Sequence, residues 1–313
     1  MSKLLRSAFA LASLSTICSA QTITETFGSG ANAFTMDFVT IGNPNNVADT
    51  TGAPNPAGSV AYTYNIGKYE VSRDMVLKAS TLDLLGLTLE DMTYYGANGV
   101  NRPATGISWN EAARFVNWLN TSKGYQAAYL FDSSGNFQVW SAVRSSVNNL
   151  FRHKDARYFL PSVDEWYKAA YGNLDGTWNN YPTGSDNAPV AVAGGTNSGT
   201  AVYNQYSPSD ISSAGGLSPY GTMAQGGNIH EWLESAYDGF NDNSTEPRGI
   251  RGGSWDIDSY IGSDLRNDNY GAFALDWTAA DIGFRVAMIP EPSSLSLLVI
   301  GGVVVALRRQ KRA

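Results

Sequence analysis

Two of the side chains that most often do chemistry are scarce in this sequence. Its single cysteine, Cys18, lies in an apolar N-terminal stretch, and its only histidines are His153 and His230. Beyond the first twenty residues no thiolate is available as a nucleophile or soft-metal ligand. His153, His230 and one carboxylate would make up the donor set of a non-haem iron site, but the two histidines lie far apart in sequence. A Ser-His-Asp set exists by composition, yet no Gly-x-Ser-x-Gly elbow presents a serine. Paired carboxylates for glycoside hydrolysis can be drawn from the many acids. The Gly-rich segment 194–199 has no following lysine or helix signal and cannot cradle a phosphate in the P-loop manner.

The elements that would position such groups are partly legible. Ser108-Trp109-Asn110-Glu111 and Ser162-Val163-Asp164-Glu165 are capping boxes. Behind the first run Ala112, Phe115, Val116 and Leu119 at helical spacing; behind the second, Trp166, Ala169 and Ala170, with Gly172 as the stop. Alternation predicts strands over 34–41, with Phe34, Met36, Phe38 and Thr40 on one face, and over 60–69. Residues 127–131 and 137–142 flank Asp132-Ser133-Ser134-Gly135-Asn136 and read as a hairpin, whereas 43–59 and 172–220 are rich in turn formers and read as loop.

Both ends are organised differently from the middle. Residues 1–20 carry Lys3 and Arg6, an apolar run and Cys18-Ser19-Ala20, the layout of a signal peptide; acylation of Cys18 competes, but Ile17 is not the small residue that would precede it. Residues 21–33 read as a loose leader. At the other end Pro290-Glu291-Pro292 precedes an apolar run, Leu295 to Leu307, and Arg308, Arg309, Lys311 and Arg312. Thirteen helical residues rise about 20 Å, short of a ~30 Å hydrocarbon core, so the segment 293–307 suits a transient anchor better than a permanent span. The basic cluster would stay cytoplasmic and leave the domain outside. Of the 21 basic and 28 acidic residues, six and one lie in these ends, leaving 15 and 27 and a net of about −12. That balance excludes a nucleic-acid partner of the usual basic kind.

Seven blocks between these ends occur in an order that resembles the formylglycine-generating enzyme (sulfatase-modifying factor) family. They are Tyr69-Glu70-Val71-Ser72, Arg102-Pro103-Ala104-Thr105-Gly106-Ile107-Ser108-Trp109, Leu160-Pro161-Ser162-Val163-Asp164-Glu165-Trp166, Ser218-Pro219-Tyr220-Gly221, Gly227-Asn228-Ile229-His230-Glu231-Trp232, Arg251-Gly252-Gly253-Ser254-Trp255 and Ile282-Gly283-Phe284-Arg285. The resemblance implies one α+β domain over 34–288 with an irregular C-type-lectin-like fold. It also implies a pair of copper-binding cysteines after the Gly-Gly-Ser-aromatic block, where this chain has about Ile257 and Gly262. Without sulfur there, formylglycine chemistry is not expected. What remains is a binding or supporting role toward a glycan or protein partner, with a metal-dependent oxidoreductase of altered chemistry as the alternative.

In relatives the Gly-Asn-x-x-Glu-Trp block also forms part of a calcium site. Here that implies Gly227 and Ile229 carbonyls with the Glu231 carboxylate, while the upstream acid falls on Ala224. Read by physics alone, Glu231 or Glu70 is a buried acid awaiting Arg251 or Arg285. The terminus, 289–313, resembles the PEP-CTERM sorting signal, which implies an exosortase-type protease as partner and delivery to the envelope or an exopolysaccharide matrix. Deleting residues 290–313 is therefore expected to release a folded, soluble domain, whereas the full chain appears first in membranes and then as a species shortened near Pro290. Mass spectrometry of the mature protein checks this: soluble, folded material ending at Ala313 refutes it.

Overall fold

A computed structural model of the chain describes residues 21–256 and 262–290; the expected signal peptide, membrane segment and sorting signal lie outside the described residues. In chain order the strands are β1 (Thr22–Phe27), β2 (Phe34–Ile41), β3 (Tyr64–Gly67), β4 (Leu130–Phe131), β5 (Phe137–Gln138), β6 (Ser145–Ser146), β7 (Asn149–His153) and β8 (Tyr158–Phe159). They continue with β9 (Val190–Ala191), β10 (Thr200–Ala201), β11 (His230–Ala236), β12 (Arg248–Arg251), β13 (Gly271–Phe273), β14 (Ile282–Gly283) and β15 (Ala287–Met288). The helices are α1 (Arg73–Leu82), α2 (Trp109–Thr121) and α3 (Val163–Tyr171).

Two sheets organise the molecule. The first is antiparallel throughout, in the order β1-β2-β3-β15-β8, so the last described strand lies in its interior beside β3. The second runs β13-β12-β11-β14, with β11 and β14 parallel. Both capping boxes form as the sequence predicts, Ser108 with Glu111 and Ser162 with Glu165. The apolar stripe of α2 and the Trp166, Ala169 and Ala170 side of α3 are buried. Gly172 ends α3 in an extended conformation rather than a left-handed one; a Cβ there would sit 2.6 Å from the Lys168 carbonyl. The glycine supplies room, not handedness.

Three expectations change. Residues 22–27, read as a loose leader, form β1, because their backbone groups complete the open edge of β2 from Thr22↔Val39 to Phe27↔Phe34. The strand expected over 60–69 shrinks to β3, and Ser72 caps α1, which has a weak apolar pattern and was not expected. In β2, Val39 and Ile41 are buried along with Phe34, Met36 and Phe38, since both faces of that strand are covered. The hairpin forms as β4 and β5, with Asp132 accepting from the Ser134 and Asn136 N–H groups and Gly135 at φ +82°.

Aromatic rings and buried ions fill the interior in place of covalent links. Arg152 lies between Glu234 (Nη2···Oε2 2.6 Å) and Glu165 (3.0 Å), with its guanidinium carbon 3.5 Å from the Phe159 ring centre. Tyr129 and Tyr62 donate to the same two carboxylates. Among the described residues Arg248 forms no ion pair; it packs 3.8 Å from the centre of Phe151 and 4.6 Å from that of Trp109.

Lys168 is buried on α3 and donates to the Asn43 carbonyl at 2.8 Å, and among the described residues it forms no ion pair. Burial alone lowers its pKa to about 8 from the usual 10.5. Between those values the unfolded chain binds a proton that the folded chain does not, so this group's contribution to stability rises with pH across the window. Lys168→Met is expected to flatten the rise; urea midpoints of both proteins between pH 7.5 and about 9.5, below general tyrosine ionisation, check it.

Candidate functional site

The site grows from the turn that precedes β11. Gly227 and Asn228 both have left-handed φ, +86° and +60°. A Cβ at Gly227 would fall 2.3 Å from the Val202 carbonyl, so only glycine fits that approach. Asn228 is wholly buried and works through both ends of its amide: Oδ1 accepts from the Ser209 N–H (2.7 Å) and Nδ2 donates to Glu70 Oε2 (2.6 Å). The Gly-Gly-Ser-Trp turn is clamped to this one by Gly227 N–H to the Gly252 carbonyl and Trp255 N–H to the Asn228 carbonyl.

Once β11 begins, its alternation separates two chemistries. Glu231 faces inward and is fully buried. Its carboxylate takes Nε and Nη2 of Arg285 at 2.5 Å each and Trp166 Nε1 at 2.7 Å. Arg285 spends its other donors on the Gly67 and Met223 carbonyls. Of the two partners anticipated for Glu231, Arg285 is the one the fold supplies. Arg251, opposite Glu231 in the β11–β12 register, instead packs near the rings of Tyr167 and Tyr270 and donates to the Asn269 carbonyl. Of the residues implied for calcium, Gly227 and Ile229 lie in the turn before β11 and Glu231 on the strand, where its carboxylate is engaged by Arg285 and Trp166. Ala224 is buried with φ +64° and adds no oxygen side chain. Among the described residues no group of three or more His, Cys, Asp or Glu side chains is placed to hold a metal.

His230 points the other way. Its Nε2 lies 4.0 Å from Asp281 Oδ2, and the same oxygen accepts from Ser254 Oγ at 3.0 Å. Nδ1 is buried with no hydrogen-bond partner. Burial pushes the imidazole pKa down while Asp281 and Asp264 oppose it. The serine donates to the aspartate and not to the histidine, so the carboxylate stands between them; this order does not activate a serine nucleophile. It leaves the part-exposed Asp281 carboxylate able to accept a further hydrogen bond. His153, the other histidine, sits on β7 against Trp140, and its Nδ1 accepts the Asp155 N–H at 3.2 Å.

Trp255, next to Ser254 in the chain, begins a short series of rings. Trp255 packs on Tyr95 with ring centres 4.8 Å apart, and Tyr95 meets Tyr94 edge-on at 5.0 Å. Tyr94 is 90% exposed. Tyr206, 96% exposed, follows Gln205, whose N–H donates to the Trp255 carbonyl. Of the positions matching the family's cysteines, Ile257 lies outside the described residues, and Gly262 takes a left-handed φ of +59° beside the Tyr203 ring. Asp281, Tyr94 and Tyr95 were not anticipated. The signal for Asp281 was its place directly before the Ile282-Gly283-Phe284-Arg285 block; the tyrosines gave none, since surface rings in loops have no pattern.

Removing one side of the buried Glu231–Arg285 pair leaves an uncompensated charge. Glu231→Gln is expected to cost about 3–5 kcal/mol of stability, with calcium adding little; urea denaturation with and without calcium checks both.

Several solved structures share this architecture. Treponema denticola variable protein 1 is 18% identical, covering 86% of this chain and 99% of that one at a TM-score of 0.56. CarF is 20% identical, covering 82% and 99%, at 0.59. PvdO from Pseudomonas aeruginosa is 16% identical, covering 85% and 98%, at 0.51. At these identities the likeness establishes the fold, in agreement with the irregular α+β, C-type-lectin-like architecture expected. No curated protein matches the chain. The model of the sulfatase-modifying factor enzyme 1-like domain, however, matches residues 32–289. By that match and by its fold, the chain belongs to the sulfatase-modifying factor enzyme 1-like (FGE-sulfatase) family.

Proposed function

We propose that this protein is an exported, non-catalytic member of its family that binds a glycan or an envelope protein through the exposed rings Tyr94 and Tyr206, with Tyr95 and the buried Trp255 behind them and Asp281 as a polar neighbour. The observation that carries the reading is the pair of exposed rings Tyr94 and Tyr206 on loops that lead to the buried Trp255, next to Ser254 and its part-exposed partner Asp281. Stacking surfaces beside hydrogen-bonding groups suit sugar rings and polar protein surfaces alike. The lack of any cysteine other than Cys18 argues against the thiolate chemistry of formylglycine formation.

Delivery follows from the ends of the chain: a signal peptide over 1–20, a transient anchor over 293–307 and cleavage by an exosortase-type protease near Pro290, leaving the domain at the cell envelope or in an exopolysaccharide matrix. The acidic balance suits solubility in that setting.

The test is binding of the full-length protein to the exopolysaccharide and envelope fractions of its own source. Tyr94→Ala and Tyr206→Ala alter exposed rings and are expected to leave the melting temperature within a few degrees while lowering affinity about tenfold or more. In parallel, a sulfatase-motif peptide incubated with the protein and copper is expected to keep its cysteine unchanged. Aldehyde formation above a no-protein control, or stoichiometric iron or copper in the purified protein, would overturn the non-catalytic reading in favour of the oxidoreductase.

A further inference from the structure

The chain leaves the folded domain at a defined place. Ile289 follows β15 directly, donates its N–H to the Arg157 carbonyl at 3.0 Å and lines a cavity of about 610 Å³ together with Tyr62, Val147, Lys154 and Gly239. Only residues 290–294 separate it from the apolar run that begins at Leu295. Six Cα-to-Cα steps, fully extended, span about 20 Å, and the headgroup layer of one leaflet takes roughly 5–7 Å of that. With Leu295 to Leu307 in a membrane, Ile289 stands no more than about 15 Å above the headgroups. A domain of this size has a radius of gyration of about 18 Å, so on such a tether it cannot swing its opposite side toward the bilayer. The face around Ile289 is the one that meets lipid.

That face presents side chains suited to it. Val147, in the turn between β6 and β7, is 92% exposed, and Phe240, next to Gly239 of the cavity wall, is 68% exposed. Their loops are tied together: Asn241 Nδ2 donates to Asn149 Oδ1 at 3.0 Å, and the Leu150 N–H donates to the Asn241 carbonyl at 2.9 Å. Arg144 and Lys154 are exposed and linked by the Lys154 N–H to the Arg144 carbonyl, and among the described residues neither forms an ion pair. Asp155 and Asp238 are exposed acids in the same loops. The nearby glutamates are spent, Glu25 on Lys123 and Arg157, Glu165 and Glu234 on Arg152. Exposed apolar side chains flanked by cations, at the point where the chain turns toward a membrane, match the boundary between headgroups and acyl chains.

We propose that this face docks on a phospholipid surface while the tail is in the membrane, with Val147 and Phe240 entering the headgroup–acyl boundary and Arg144 and Lys154 meeting lipid phosphates. The inference rests on the reading of 293–307 as a membrane segment. Docking fixes the orientation of the domain and holds Pro290 at headgroup level, where a membrane protease can reach it. Two cations and two apolar side chains give only reversible binding by themselves, so cleavage near Pro290 frees the domain from the bilayer.

The sequence makes the test clean, because with Cys18→Ser the full-length chain has no cysteine left. Single Val147→Cys, Phe240→Cys and, as a control on β9 outside the cavity wall, Val190→Cys variants each carry one fluorophore; all three positions are exposed, so the fold is expected to be unaffected. The proteins are reconstituted into vesicles of phosphatidylcholine and phosphatidylglycerol, and flotation reports whether the tail holds them there. Quenching by lipids spin-labelled near the headgroup is expected to be at least about threefold greater at Val147 and Phe240 than at Val190. Arg144→Glu combined with Lys154→Glu is expected to lower that quenching by about half or more, with flotation and melting temperature unchanged. Floating protein quenched equally at all three sites, or quenched to the same extent after the double charge reversal, overturns the docking face and leaves the anchor standing. Protein that does not float with the vesicles overturns the anchor and, with it, this proposal.

Discussion

The Glu231–Arg285 pair joins the parts of this molecule that sequence keeps far apart. Glu231 stands at the start of β11 in the second sheet. Arg285 lies two residues before β15, which is hydrogen-bonded within the first. The guanidinium also bonds the Gly67 carbonyl at the end of β3 and the Met223 carbonyl in the long loop. Taking two charges out of water is tolerable here because every donor of the arginine and both oxygens of the glutamate are engaged, the condition under which a buried pair stops being a liability. Two sheets and a loop thus share one electrostatic knot.

That knot also decides what the surface offers. With Glu231 fixed inward, strand geometry turns His230 outward beside Asp281 and Ser254. The same turn brings Asn228 beneath, where it reaches Ser209 on one side and Glu70 on the other. Close backbone approaches reinforce the arrangement: a Cβ at Gly283 would lie 2.3 Å from the Ala104 carbonyl, so β14 can lie against that segment only through a glycine.

Elsewhere the fold handles its buried cations with aromatic rings. Arg248 rests against Phe151 and Trp109, Arg251 against Tyr167 and Tyr270, and Arg152 against Phe159 while two carboxylates hold it. A guanidinium is flat and weakly hydrated, so ring faces can replace part of its water shell. This gives a loop-rich domain internal ties without a single disulfide in its body.

Local codes in the sequence were enough to place α2 and α3, because Ser108, Glu111, Ser162 and Glu165 satisfy backbone donors within one helical turn. The 132–136 hairpin turn was legible for the same reason: Asp132 and Gly135 act on their neighbours. The seven blocks identified the family and, through it, the fold. What sequence left open was every choice between equivalent partners. Glu231 had Arg251 and Arg285 to choose from, and only the packing of β14 and β15 beside β3 and β11 decided for Arg285 while tyrosines took Arg251. Residues 22–27 carry no strong strand pattern and became a strand because β2 had an open edge to fill. Asp281 joined His230 for a similar reason. Contacts between residues distant in the chain are set by how sheets and loops close on one another, and no periodicity along the sequence records that closure.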